Sequence, residues 1–432
     1  MSWSRLRGTV TAVTVAALTL TAVSTVPAAT APDRHPGRQL DGHHAPTRRA
    51  MDAAVTAGVP GVLGQARDAR GTWTASSGVA DVDTGRPRNR PDRFRAGSIT
   101  KTFVATVVLQ LDAERRLSLD DTVERWLPGV VRGNGHDGGK VTVRRLLNHT
   151  SGIHDYTDDP EFARRTSGKG FAEHRHDTFA PRELVQVAMG HPPAFAPGTG
   201  WGYSNTNYVL AGMIIEKVTG NPYATEVERR ITRPLGLRST VLPGTRARMP
   251  RPHGRAYAPA GTGRSTELVD VTEFNPSVAW AAGEMVSTAD DLNRFYRALL
   301  KGRLLTEAGM AQMFTTVPTG EEDGQSAVRY GLGVHTGELS CGVELWGHGG
   351  GIHGSGSAAF GTRDGGHTAV FNTNVNGPRA PGTGALLEAE FCGGSAEPPQ
   401  SPGEVRPFTG RPGNRRVRPA GTAAVTSRPT RR

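Results

Sequence analysis

The sequence predicts an α+β fold, in which an antiparallel sheet is built from the N- and C-terminal segments, flanked by helices, and a mostly helical region is inserted between them. Strand-like residues occur near the start of the folded part, at 61–68 and 72–82, and again through the last third of the chain. Between them, apolar residues recur at helical spacing. The two sets of strands are therefore expected to meet in one sheet.

Helices are predicted wherever apolar residues recur every three or four positions. The clearest case is 98–117, where Phe103, Val107 and Leu111 share one face. A second case is 289–300, for which Thr288 is the expected N-cap. The other predicted helices lie at 143–147, 181–189, 205–218, 222–231 and 384–391.

Three strands are predicted in the last third of the chain, at 343–348, 355–362 and 367–374. A turn at Asp364-Gly365 separates the last two, because an Asp-Gly pair favours the tight turns of hairpins. Together with the two strands near the start, these segments form the predicted sheet.

The first 31 residues are typical of a secretory signal peptide. Arg5 and Arg7 precede a run of Ala, Val, Leu and Thr, and the small-residue stretch Ala29-Thr30-Ala31 follows it. An uncleaved membrane anchor is the alternative, but several Thr interrupt the apolar run and a clean cleavage site follows. We therefore expect a secreted, extracellular protein.

The remainder divides into three parts by composition. Residues 32–46 are expected to form a flexible leader, and 47–393 the folded domain with its helical insertion at about 115–270. Residues 394–432 turn to Pro, Gly, Arg, Ser and Thr, which predicts a disordered basic tail. A plain extension is the favoured interpretation of this tail, and adhesion to anionic cell-wall polymers is the alternative.

The chain of 432 residues has a formal net charge of +11, which raises the question of nucleic-acid binding. That charge lies at the ends. Residues 1–50 carry +4 and residues 393–432 carry +6, so the part between them carries only +1. A nucleic-acid binder needs its basic residues on the fold. No nucleic-acid partner is therefore expected.

Cys341 and Cys392 are the two cysteines of the chain. Export would place them where disulfides persist, and a bridge between them is then favoured. Two buried free thiols are the alternative.

A nucleophile is predicted at the start of the helix that begins near residue 98. Ser98 and Lys101 are three residues apart, so they share one face of the first turn. A lysine whose pKa is depressed can accept the hydroxyl proton, whereas an arginine cannot be deprotonated. Lysine is scarce, with five residues against 46 Arg. A serine N-cap followed by a surface lysine is the alternative interpretation.

Two further segments favour acyl transfer. Tyr203-Ser204-Asn205 precedes a helix, where a phenol near the lysine ammonium could ionise more easily and shuttle protons, and an amide could hold a substrate carbonyl. The segment 346–351, Trp-Gly-His-Gly-Gly-Gly, ends a predicted strand with its backbone exposed by glycines. Such a strand can supply an N–H group to an oxyanion hole.

These three motifs, in this order, resemble those of the penicillin-recognising serine hydrolases, which include class C β-lactamases and low-molecular-weight penicillin-binding proteins. The resemblance extends from about residue 55 to 393. It includes Asp92-Arg93-Phe94-Arg95, residues 146–152 and Tyr330-Gly331-Leu332-Gly333. The chain looks most similar to the secreted serine D-alanyl-D-alanine carboxypeptidases.

The resemblance implies a role for each matching residue. Ser98 would be the acylated nucleophile, Lys101 its proton acceptor, and Tyr203 the relay to the leaving amine. The oxyanion hole would use the N–H groups of Ser98 and Gly351. The resemblance also implies a disulfide between Cys341 and Cys392. The implied substrate-binding residues are Asn205, His348, Gly350, Gly351, Trp280 and Phe94.

The implied mechanism is an acyl-enzyme on Ser98, formed from a small peptide, a peptidoglycan-derived substrate or a β-lactam. The family requires no metal and no organic cofactor, so none is expected. A monomer is the default expectation.

The sequence departs from the carboxypeptidase pattern at two places. His348-Gly349-Gly350-Gly351 stands where those enzymes have His-Thr-Gly-Thr, so two hydroxyls that would bind a substrate carboxylate are absent. Val334, His335 and Thr336 stand where they supply an Arg, and a neutral His is a poor substitute. An esterase, a D-aminopeptidase or a β-lactam sensor without turnover therefore remains an alternative.

Three other motifs point elsewhere and are rejected. Gly349–Gly354 matches a dinucleotide-binding pattern, but a strand-like segment follows it and not a helix. No serine lies in the G-x-S-x-G pattern of α/β-hydrolases. The run His174-Arg175-His176-Asp177 has no companion ligands at convincing spacing, so a polar loop is the better interpretation.

Overall fold

A computed structural model of the chain describes residues 42–259, 267–323, 326–376 and 382–393. Its centre is an eight-stranded antiparallel sheet with the order β2-β1-β14-β13-β12-β11-β10-β9. The strands of this sheet are β1 (Gly61–Arg67), β2 (Thr72–Gly78), β9 (Val317–Asp323), β10 (Ser326–Tyr330), β11 (His335–Glu338), β12 (Glu344–Ile352), β13 (Ser355–Thr362) and β14 (Thr368–Thr373).

The N-terminal and C-terminal strands of the folded chain meet inside this sheet, as its second and third strands. β1 pairs antiparallel with β14, and Val62 lies opposite Thr373. The N-terminal hairpin β1–β2 and the C-terminal strands thus form one continuous ladder. This confirms the predicted fold class, because a sheet from both termini encloses the rest of the chain as an insertion.

Successive side chains along each strand point to opposite faces of the sheet, and both faces are apolar. On β1, Leu63 belongs to the large core that contains the central helices, whereas Val62 belongs to a second core on the opposite face. On β14, Val370 and Phe371 divide in the same way. Both faces are therefore covered by helices.

The second core is closed by α1 (Ala45–Thr56), which lies over β1 and β2, and by α12 (Gly384–Cys392), which packs against α1 and β14. The large core is closed by α10 (Ala289–Leu300), which lies on β1, β13 and β14. Thr288 caps α10 by accepting a hydrogen bond from the Asp291 N–H group, as the sequence predicts.

The inserted region contains the remaining helices and three ribbons of two strands. Its central helix, α2 (Thr100–Ala113), is buried on nearly all sides, and the Phe103 and Phe295 rings stack with centroids 3.6 Å apart. The other helices are α3 (Val123–Trp126), α4 (Val143–Leu147), α5 (Pro160–Thr166), α6 (Gly168–His174), α7 (Pro181–Met189), α8 (Asn205–Thr219), α9 (Tyr223–Val227) and α11 (Glu307–Phe314). Helix α9 continues as a π-helical turn over Glu228–Thr232. The ribbons pair β3 (Phe94–Arg95) with β8 (Val286–Ser287), β4 (Arg132–Gly133) with β5 (His136–Asp137), and β6 (Tyr257–Pro259) with β7 (Leu268–Asp270).

The start of the domain differs from the sequence-based expectation. The leader was expected to reach residue 46, but α1 begins at Ala45 and His44 is 3% exposed. The cause is a contact across the whole chain: the Glu390 carboxylate accepts a hydrogen bond from the Thr47 hydroxyl at 2.7 Å and lies 3.0 Å from His44 Nδ1. No local pattern reveals such a partner.

The predicted signal peptide and the predicted basic tail lie outside the described residues, as does most of the predicted leader. Both remain predictions. Within the described ranges, the helices are too short or too polar to cross a bilayer.

Cys341 and Cys392 form a disulfide, which ties the loop before β12 to the end of α12. The bridge closes a loop of 51 residues, and the chain-entropy relation gives a stabilisation of about 4 kcal/mol for that length.

Replacing both cysteines by serine should lower the free energy of unfolding by about this amount in a denaturant titration. Reductant should destabilise the wild type and leave the double variant unchanged. A loss below about 1 kcal/mol would contradict this assignment.

Candidate active site

Ser98, the predicted nucleophile, lies in a tight turn between β3 and α2. Gly97–Ile99 form a 3-10 turn, and Gly97 has φ +57°, a conformation that favours glycine. The Thr100 hydroxyl donates to the Gly97 carbonyl at 2.7 Å, and Ala96 N–H donates to the Met285 carbonyl at 2.8 Å. Ser98 is thereby held at the start of the most buried helix of the domain.

Lys101 lies one turn further along α2 and is fully buried. Its Nζ is 3.0 Å from Ser98 Oγ, 2.8 Å from Asn205 Oδ1 and 2.7 Å from the Ala282 carbonyl oxygen. The structure therefore brings together the serine and the lysine that the sequence pairs.

Burial lowers the pKa of Lys101 to about 7, and the negative charge of Asp155 opposes this shift. A substantial fraction of the amine is then neutral at physiological pH. A neutral amine has two N–H groups and one lone pair. Because Asn205 Oδ1 and the Ala282 oxygen can only accept, both N–H groups are used and the lone pair is left to face Ser98 Oγ.

Tyr203 completes the group on the other side of the serine. Its phenol hydrogen-bonds with the Ser98 hydroxyl, and its ring centroid is 4.9 Å from Lys101 Nζ. The expectation that this phenol ionises easily is wrong, because burial and the charge of Asp155 raise the pKa of Tyr203. Tyr203 therefore stays protonated and can pass a proton only as a hydroxyl group.

Asn205 is the first residue of α8, and its amide contacts two charged groups. Oδ1 accepts from Lys101, and Nδ2 donates to Asp155 Oδ2 at 2.8 Å. The sequence analysis did not find Asp155, because a single aspartate in a loop carries no pattern. It also missed the Ala282 carbonyl, since a main-chain acceptor is independent of residue type.

The glycines of β12 lie against the nucleophile turn. A Cβ on Gly350 would be 1.9 Å from the Ala96 carbonyl oxygen, and one on Gly97 would be 2.9 Å from Gly351 N. Only glycine lets these two main chains approach so closely.

The position of the Gly351 N–H group follows from the hairpin between β12 and β13. Ile352 pairs with Ser355 across a two-residue loop, so the next pair, Gly351 with Gly356, directs its N–H groups away from the partner strand. On that outer side β11 reaches only as far as Gly347, and the nucleophile turn takes its place. The N–H groups of Ser98 and Gly351 are thus well placed for an oxyanion hole.

His348 is next to these glycines, but it is 3% exposed and both of its ring nitrogens are engaged. Nε2 is 2.8 Å from the Tyr330 hydroxyl, and Nδ1 is 2.5 Å from the Gly349 carbonyl oxygen. Burial, together with the Lys101 charge, lowers the pKa of His348 to about 3. His348 is therefore a neutral supporting group beneath the site, and direct substrate contact, the role expected for it, is not available in this arrangement.

His335 stands where a carboxylate-binding arginine was noted as absent. Its ring packs edge-on against His348, and its Nε2 accepts from the Gly349 N–H group at 3.2 Å. Burial holds its pKa well below the usual range, so it carries no positive charge at neutral pH.

Phe94, one of the two aromatic residues proposed for the substrate pocket, lies elsewhere. Phe94 is 4% exposed and lines a separate cavity of about 20 Å³ with Arg88, Arg95 and Asn374. Trp280 is half-buried, and its ring packs edge-on against Tyr223, with ring centroids 4.7 Å apart. Trp280 therefore supports the loop that supplies the Ala282 carbonyl.

In the part of the chain that the structure describes, no three His, Cys, Asp or Glu side chains converge as a metal site requires. The run from His174 to Asp177 is used locally: Asp177 Oδ2 lies 2.9 Å from His174 Nδ1 and also pairs with Arg165.

A buried lysine aimed at a serine, a protonated tyrosine and a glycine-rich strand together define a serine hydrolase site. Residues 47–391 match the protein family described as Beta-lactamase, and the chain belongs to this family. The predicted superfamily is thereby confirmed.

Solved structures similar to this chain include two amide hydrolases. A D-stereospecific amidohydrolase from Streptomyces sp. is 56% identical, with a TM-score of 0.77 over 81% of this chain and 99% of that chain. A D-amino acid amidase from Ochrobactrum anthropi SV3 is 30% identical, with a TM-score of 0.70 over 81% of this chain and 98% of that chain.

Curated relatives include a penicillin-binding protein and an esterase. Penicillin-binding protein 4* of Bacillus subtilis (strain 168) is 32% identical over 60% of this chain and 55% of its own length. Esterase EstB of Burkholderia gladioli is 31% identical over 52% of this chain and 62% of its own length. The chain thus spans little more than half the length of these two relatives.

The close approach of the two main chains can be tested at Gly350. Gly350→Ala places a methyl group 1.9 Å from the Ala96 oxygen, so β12 must move away from Ser98. A displacement of about 1 Å at an oxyanion hole costs on the order of 100-fold in kcat/KM. Gly337→Ala is the matched control, because its Cβ on β11 meets nothing within 4 Å. Equal activity of the two variants would contradict the contact.

Proposed function

We propose that the protein hydrolyses amides of D-amino acids and short D-peptides through an acyl-enzyme on Ser98. The observation that carries the proposal is the contact of Lys101 Nζ with Ser98 Oγ at 3.0 Å, in surroundings that lower the pKa of the amine to about 7. Membership of the Beta-lactamase family supports the reaction class. The 56% identity to a D-stereospecific amidohydrolase supports the choice of substrate.

In the acylation step, Ser98 Oγ forms a bond to the substrate carbonyl carbon, and its proton passes to the lone pair of Lys101. The carbonyl oxygen becomes an oxyanion that accepts hydrogen bonds from the N–H groups of Ser98 and Gly351. When the carbon–nitrogen bond breaks, the leaving amine takes a proton from Lys101 through the Tyr203 hydroxyl. The amine departs, and the acyl group remains on Ser98.

In the deacylation step, water attacks the ester carbonyl carbon and gives up a proton to Lys101, either directly or through the Tyr203 hydroxyl. The ester bond breaks, Ser98 Oγ recovers a proton, and the acid leaves. Every proton donated in one half of the cycle is returned in the other, so the residues named are sufficient for turnover.

The surroundings of the site favour an uncharged leaving group over one that ends in a carboxylate. His335 is neutral and buried, and Gly349 and Gly351 offer no hydroxyl group. A substrate carboxylate placed there would lose its hydration without gaining a cationic partner. An amide of a D-amino acid has no such carboxylate.

A second candidate is a penicillin-binding D-alanyl-D-alanine carboxypeptidase or β-lactamase, with an esterase as a related alternative. Its support is the 32% identity to penicillin-binding protein 4* and the 31% identity to an esterase. Incubation with a fluorescent penicillin distinguishes this candidate, since a stable adduct on Ser98, or rapid loss of the penicillin, would favour it.

Purified protein should hydrolyse D-phenylalanine amide at least about 100-fold faster than the L-enantiomer, measured as ammonia release. A D-Ala-D-Ala peptide should be cleaved more slowly when its C-terminus is a free carboxylate than when it is an amide. Ser98→Ala should abolish both activities, because the acyl-enzyme cannot form. Faster cleavage of the free acid would overturn the proposed substrate class and favour the carboxypeptidase.

The pH profile should report Lys101. Because its pKa is lowered to about 7 and the free amine is the base, kcat/KM should rise with pH and level off above about pH 7.

Lys101→Arg keeps the charge and loses the base, so activity should fall by about 100- to 10,000-fold. Lys140→Arg, at an exposed lysine, is the matched control. Full activity of Lys101→Arg would exclude the lysine as the base.

We also propose that the protein acts outside the cytoplasm. The support is the signal-like segment at residues 1–31 and the pairing of Cys341 with Cys392, since structural disulfides persist in oxidising compartments.

A further inference from the structure

Asp155 is a buried carboxylate beside the site that the mechanism above does not use. It lies in the loop before the 3-10 turn Tyr156–Asp158 and is 5% exposed. Its Oδ2 accepts from Asn205 Nδ2 at 2.8 Å, and its Oδ1 accepts from the Thr157 N–H group at 3.1 Å. No ion pair accompanies it within the described residues. A buried carboxylate without a salt bridge is costly and calls for a reason.

The reason lies in the amide of Asn205. An amide side chain has one accepting and one donating end, and the two ends have nearly the same shape. Burial raises the pKa of Asp155 to about 6, so its carboxylate is mostly ionised at neutral pH. An ionised carboxylate can only accept, so Asp155 fixes Nδ2 on its own side and turns Oδ1 toward Lys101. In the reverse orientation, Nδ2 would face Lys101 and would compete with Ser98 for the lone pair of the amine.

We propose that Asp155 is a positioning residue, which acts through Asn205 to direct the lone pair of Lys101 at Ser98. The chain of contacts runs from Asp155 Oδ2 to Asn205 Nδ2, and from Asn205 Oδ1 to Lys101 Nζ, with 2.8 Å at each step. The inference rests on the proposed use of Ser98 and Lys101 and is independent of which amide is the substrate.

The charge of Asp155 also acts on the amine. Asp155 raises the pKa of Lys101, against the larger effect of burial. The other titratable groups around Lys101 are the phenols of Tyr203 and Tyr208 and the neutral rings of His149 and His348. The groups around Asp155 are Asp158, Tyr156, Tyr203 and Lys101 itself.

The scarcity of lysine permits a test that does not depend on turnover. The chain has five lysines, so lysine labelled with ¹³C at Cε gives few signals, and the Lys101 signal is the one that Lys101→Arg removes. In Asp155→Asn, the midpoint of the Lys101 titration should move to lower pH, on the order of one pH unit. Asp83→Asn removes an exposed carboxylate of the same kind and should leave the midpoint unchanged.

Kinetics test the positioning itself. Asp155→Asn should lower kcat by about 10- to 100-fold with a smaller effect on KM, because the base is misdirected and substrate binding is not. In the Asn205→Ala background the same substitution should change kcat less than about 3-fold, since the intermediate link is already absent. Fully additive effects would overturn the proposal.

Asp155→Glu keeps the charge and lengthens the side chain, and it serves if Asp155→Asn does not fold. It should keep the Lys101 midpoint near or above that of the wild type while lowering kcat. An unchanged midpoint in Asp155→Asn, or full kcat in Asp155→Glu, would show that Asp155 is merely structural. Because the titration needs no substrate, the Lys101 midpoint can be interpreted even if the proposed amide activity is not found.

Discussion

The active site depends on the removal of one amine from water. Lys101 is fully buried, and within the described part of the chain its polar contacts are Ser98, an amide oxygen and a main-chain carbonyl. A buried ammonium with such partners is poorly stabilised, so its pKa falls to about 7. The free energy that lowers the pKa is supplied by the packing of three separate parts of the chain, namely α2, the start of α8 and the loop at Ala282.

That packing explains why the surroundings of Lys101 are so rich in neutral polar groups. His149, His335 and His348 are all buried, and the pKa of each is lowered, so none adds a positive charge beside the amine. The phenol of Tyr203 stays protonated for the same reason. One low-dielectric environment thus sets the protonation state of Lys101, of Tyr203 and of the three imidazole rings.

Local patterns predicted the central parts of the fold and the site. The helix Ala289–Leu300 and the strand Ser355–Thr362 were predicted with the bounds that the structure has, because both show regular periodicity and clear ends. The spacing of Ser98 and Lys101 was sufficient to pair them. The strands β9 to β11 were not predicted, since short polar segments such as His335–Glu338 become strands only beside β12.

The residues that were missed act through partners far away in sequence. Asp155 is 50 residues from Asn205, and His44 is 346 residues from Glu390. Phe94 was assigned to the pocket by resemblance, but the pairing of β3 with β8 turns it into the core. Contacts of this kind depend on the completed fold, and a single sequence carries no local sign of them.

The pairing of β1 with β14 has a consequence for the order of events during synthesis. The strands meet through Val62 and Thr373, so β1 has no partner on one edge until the last strand has been made. At ribosomal speeds of about 5–20 residues per second, that interval is on the order of 15–60 seconds. For this time a hydrophobic strand edge is open to wrong partners. The domain therefore closes only as a finished whole, after the far end of the chain has emerged.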